Sequence, residues 1–91
     1  MFQMLTNQKI VDHFHAKLID EQAKRERAIL RGKTDLSSYD KYILVYAAAS
    51  DAGKTCDCSK IPDGILNGNT RLDSVLKLIG VSDNIIQKLF V

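Results

Sequence analysis

The chain has no tryptophan, a single proline (Pro62) and only two cysteines, Cys56 and Cys58. Each shortage excludes something. With one proline, residues 1–61 are free of the residue that breaks helices and removes a backbone donor. Two cysteines separated by one residue cannot build the several disulfides of a small secreted scaffold, so a reducing, cytoplasmic setting is expected. The longest apolar run, residues 42–49, falls far short of the roughly 20 residues that cross a bilayer, and no membrane association is expected. Residues 1–5 lack the charged region, apolar core and small-residue cleavage site of a secretory signal. The net charge of +2 is too small to announce a polyanionic partner. Low-complexity tracts and internal repeats are also absent. This leaves room for disorder only at the first few residues and around 53–69.

What remains is an ordinary globular composition in 91 residues, the length of one domain spanning 1–91. Thr6 or Asn7 can cap a long first helix running to about Arg31, with Gly32 as its stop. On a helical wheel Val11, Phe14, His15, Leu18, Gln22 and Ile29 form an apolar side. His13, Lys17, Asp20, Lys24, Arg27 and Arg31 form a stripe opposite it. Ser37 and Asp40 have capping-box spacing and open a second helix, from about Ser38 to Ala52 with Gly53 as its stop. Tyr39, Tyr42, Ile43 and Tyr46 share one of its faces. Leu44, Val45 and the alanines make the rest apolar, the composition of a buried helix.

From 53 to 69 turn-forming residues dominate, with Ile61, Ile65 and Leu66 as anchors through one short helical turn. Thr70 and Asp73 read as a capping box for a third helix ending at Gly80. Its apolar face is Leu72, Val75, Leu76 and Ile79. Ser82 caps a fourth, with Val81 and Ile86 spaced as a hydrophobic staple. The expected fold is all-α: a compact four-helix domain with a long amphipathic first helix, a buried second helix, a loop at about 53–69 and a C-terminal helical hairpin.

Two stretches resemble known motifs. Residues 48–55, Ala-Ala-Ser-Asp-Ala-Gly-Lys-Thr, resemble a phosphate-binding P-loop, with Ala48 where the first glycine usually sits. That resemblance implies a nucleotide or cyclic-nucleotide ligand held by Lys54 and Thr55. The residue pattern offers another reading, in which Gly53 ends a buried helix. Residues 72–89 resemble the helix-turn-helix of DNA-binding regulators, with Gly80-Val81-Ser82 as the turn. That resemblance implies that Ser82, Asp83, Asn84, Gln87 and Lys88 face a major groove. A core helical hairpin gives the same pattern.

Candidate chemistry is sparse. His13-x-His15 with Cys56-x-Cys58 offers four zinc-ligand types. Helical residues two apart diverge by about 200°, however, so the histidines cannot share one ion. No metal or other cofactor is expected, with His13 solvated, His15 in the core or an interface and the cysteines in a loop. A Cys56 nucleophile needs a base that the sequence cannot place, so no catalytic residue is assigned. Charge is the remaining signal. Residues 1–34 hold seven Lys/Arg against four Asp/Glu, whereas 35–91 hold six against seven, so the first helix carries the excess. Lys17, Lys24, Arg27, Arg31 and Lys33 are therefore the candidate partner-binding residues.

The expected function is a small non-enzymatic regulatory or inhibitory protein that binds another protein, as a homo-oligomer. One alternative is a nucleic-acid-binding regulator using Ser82, Asn84, Gln87 and Lys88, or the helix 1 stripe. The other is nucleotide binding at Lys54 and Thr55.

Overall fold

A computed structural model describes residues 4–90. Its elements are α1 (Asn7–Leu30), α2 (Ser37–Gly53), α3 (Leu72–Ile79) and α4 (Asp83–Ile86), with 3₁₀ turns at Asp63–Leu66 and Gln87–Phe90. Among the described residues there is no strand, only an isolated bridge between Met4 and Pro62. The fold is all-α, and no helix among these residues is long and apolar enough to cross a membrane.

The termini of α1 fall where the capping residues put them. The Thr6 hydroxyl accepts the Lys9 N–H at 3.1 Å, and the chain turns at Gly32 after Leu30. The core lies at one end of the molecule. Ile10 and Phe14 of α1 meet Val45 and Ala49 of α2, Val75, Leu76 and Ile79 of α3, and Ile86 of α4. Leu5, Cys58 and Ile61 close it from the loop side, where Leu5 N–H donates to the Ile61 carbonyl at 2.7 Å. Ile61 is buried and Ile65 and Leu66 are half-buried, so segment 53–69 is fastened as expected, through the short turn at Asp63–Leu66. The expectation for the first residues lies outside the described residues. Val81 and Ile86 are both buried, as a staple requires.

Beyond the core, α1 and α2 continue as an antiparallel hairpin that gives the molecule extents of 48 × 24 × 23 Å. Arg25 Nε donates to Asp40 at 2.7 Å across it.

Two capping boxes do not form. Leu36, not Ser37, occupies the N-cap of α2, and both Ser37 groups bond back to the Asp35 carboxylate, at 3.1 and 2.7 Å. Asp35 competes for Ser37 because an aspartate two residues upstream closes a local turn. Arg71 occupies the N-cap of α3 and pairs with Asp73 at 3.2 Å, so Thr70 caps nothing. Ser82 stands at the N-cap of α4 without a side-chain bond.

The orientation of α1 also differs from the wheel. Its buried residues are Ile10, Phe14 and Ala28, with Glu21 half-buried between them, whereas His15, Gln22 and Ile29 are exposed. The helix is turned by about a quarter of its circumference, at 100° per residue, relative to the expected apolar side. Gly53 decides this. A Cβ there would lie 2.5 Å from Ile10 Cγ2, so α2 approaches α1 at Ile10, and the face around Ile10 becomes the inner one. His13 is consequently half-buried, edge-on to Phe14 at 5.0 Å, and His15 is the solvated histidine.

Candidate functional site

Turning α1 moves its basic stripe from the far side of the helix to the margin of the α1–α2 seam. The tyrosines of α2, spaced 39, 42 and 46, lie on the same side. Tyr46 packs on Phe14 at 6.2 Å and on Tyr42 at 5.8 Å between ring centroids. The Lys33 ammonium stands 5.0 Å from the centre of the Tyr39 ring, and Lys41 stands 5.5 Å from that of Tyr42. Lys24 lies near Tyr46 and is bound by Asp20 at 3.2 Å and Glu21 at 4.0 Å. Lys17 and Tyr46 line one pocket with His13. A line of cations and tyrosines thus runs the length of the hairpin.

The electrostatics follow from this packing. The hydrogen bond and charge of Asp20 raise Lys24 above its ordinary value. Burial first, then Glu21, raises Tyr46, so its hydroxyl stays a protonated donor. Burial and the Lys17 charge hold His13 below its ordinary 6.5. Lys17, Arg27, Arg31 and Lys33 make no ion pair among the described residues; Lys33 is instead held over the Tyr39 ring. The sequence marked the cations but missed their tyrosine neighbours. Their helical spacing is visible in the sequence, but in a helix so apolar it reads as a face turned to the core, whereas all three tyrosines are half-buried.

The other candidates lie elsewhere. The P-loop geometry of strand, loop and helix is not formed: α2 runs through Gly53 and irregular chain follows. Gly53 is buried against Ile10, and its φ is not positive, so it serves helix contact rather than a phosphate cradle or a left-handed stop. Lys54 pairs with Asp51 at 3.3 Å, and Thr55 is exposed. In the helix-turn-helix segment, Gly80 makes the turn at φ +96° and Ser82, Asp83, Asn84, Gln87 and Lys88 are all exposed. Its second helix is a single α-turn that tightens into 3₁₀ at Gln87. Gln87 shares a hollow with Asp73, Asp83 and Lys77, so the charge there is mixed rather than the positive one that phosphate requires.

Among the described residues no three His, Cys, Asp or Glu side chains are grouped to hold a metal. Cys56 and Cys58 are free thiols. Burial, then the hydrogen-bonded Cys58 thiol, pushes Cys56 up to about 11, which keeps it a poor nucleophile. Comparison with protein families, curated proteins and solved structures finds no match for this chain.

Proposed function

We propose that the chain is a small, non-enzymatic regulatory or inhibitory protein of the cytoplasm. In this reading it acts by binding an acidic surface of another protein through the lysine–tyrosine side of the α1–α2 hairpin, and it works as a homo-oligomer. The observation that supports this reading is the single line formed by Lys17, Tyr46, Lys24, Tyr42, Tyr39 and Lys33. Tyrosine buries a large amphipathic area at low entropic cost and is enriched where proteins meet. Flanking cations steer an oppositely charged partner. Asp20 and Glu21 interrupt the stripe and neutralise Lys24, an arrangement suited to discrete carboxylates more than to a continuous phosphate track.

The test is paired capture from the cells that make the protein, using wild type and a Lys17→Glu, Lys24→Glu, Lys33→Glu variant. A protein retained by the first and lost by the second is the expected result. The same proteins on both, or retention abolished by nuclease, would overturn the reading.

A further inference from the structure

At the core end of the lysine–tyrosine line lies a pocket of ≈ 190 Å³. Its floor is apolar: Phe14 and Val75 are buried, and Leu66 and Leu72 are half-buried. Its rim carries His13, Lys17, Tyr46 and Thr70, and no acidic residue lines it. Clefts that enclose whole small ligands run from about 300 Å³ upward. This one is the size of a single large side chain, and anchors of that kind dominate protein interfaces.

The charge at the rim is unbalanced. Lys17 has no ion-pair partner among the described residues, and the acids nearest along this side, Asp20 and Glu21, are engaged by Lys24. We infer that the pocket receives one leucine- or phenylalanine-sized side chain from an acidic peptide segment of the partner, with a neighbouring carboxylate on Lys17. This rests on the protein-binding reading and names the chemistry of the segment bound. Tyr46 and Thr70 supply hydroxyls for the peptide backbone. His13 lines the pocket beside Lys17, so its ring signals report occupancy.

The test is a nuclear magnetic resonance titration of the intact protein. The probes are a short synthetic peptide of Asp, Glu and Ser with one central Phe, the same peptide with Ala in place of Phe, and free phenylacetate. The expected result is that the Phe peptide shifts the Val75 and Leu72 methyl signals and the ring signals of His13, all three of which line the pocket. The Ala peptide and the Lys17→Glu variant should each bind about tenfold more weakly. Lys17 is exposed, so its substitution leaves the core intact, and the peptide change needs no variant at all.

Shifts confined to Tyr39, Lys33 and Lys24, with equal affinity for the Ala peptide, would overturn the anchor and leave the protein-binding face standing. No binding of either peptide would overturn both. Phenylacetate binding as tightly as the Phe peptide would mark a small-molecule site and overturn the peptide proposal.

Discussion

Gly53 shows how one residue sets a larger geometry. Replacing it with alanine gains about 1 kcal/mol of helix propensity. The new Cβ would stand 2.5 and 2.9 Å from Ile10 side-chain atoms and 3.3 Å from the Val11 backbone nitrogen. Ile10 is fully buried and has nowhere to go, so overpacking of about 1–3 kcal/mol outweighs the gain. Gly53→Ala should lower the melting temperature. In an Ile10→Ala background the same change should cost less, since Cγ2 at 2.5 Å is gone and only the Cβ at 2.9 Å remains; additive effects in the two backgrounds would refute the contact.

His13 gives a second prediction at this scale. Lys17→Gln should move its midpoint up, measured by ring-proton titration, but not fully to 6.5, because burial is the larger cause. The folded value lies below the unfolded one, so the unfolded chain binds more protons as pH drops through 6.5. His13 therefore costs stability on acidification.

Between elements, the join that matters is Asn7. Its amide donates to the Gly53 carbonyl at 2.7 Å and to the Cys56 carbonyl at 2.8 Å, tying the start of α1 to the end of α2. Asn7→Ala should cost about 1–2 kcal/mol by urea unfolding, two hydrogen bonds of which one is solvent-exposed. Asn7→Asp should be worse at neutral pH, because a carboxylate cannot donate and is repelled by the negative end of α2. If Asp is tolerated better than Ala, those bonds are not what holds the join. Helix existence was legible here because periodicity and terminal residues act locally. The cap details at Ser37 and Thr70 were not, since Asp35 and Arg71 offered competing partners at nearly the same spacing.

At the scale of the whole molecule, the hairpin leaves the chain extended. Its radius of gyration is 14.0 Å, against about 12 Å for a compact chain of this length. It exposes 6126 Å², where about 5300 Å² is usual for its mass. Ile19 (52%), Ile29 (46%), Leu30 (86%) and Leu44 (42%) stand uncovered on the hairpin. A second copy would cover such a surface, and light scattering at micromolar concentration should give more than the mass of one chain. A monomer there would sink the homo-oligomer.

Alkaline pH should weaken the fold. Cys56 is raised from 9.0 to about 11 and Tyr46 is raised from its ordinary 10.0. The unfolded thiol and phenol lose their protons first, so stability present below pH 9 is lost as pH rises to about 11. Cys56→Ser should flatten much of that loss in a series of urea midpoints.

The sequence by itself determined the helices, their order and the identity of most core residues, because hydrophobic spacing and turn residues act over a few positions. It also marked Lys17, Lys24, Arg27, Arg31 and Lys33 as unusual, since charge can be read without a fold. Only the tertiary structure decided which way α1 faces. Two apolar sides were available on it, one centred on Ile10 and one on Leu18, and the bare backbone of Gly53 on a distant helix selected the first. That choice turned His13 inward against Phe14, brought Lys17 and Lys24 to Tyr46, and formed the pocket between His13 and Val75.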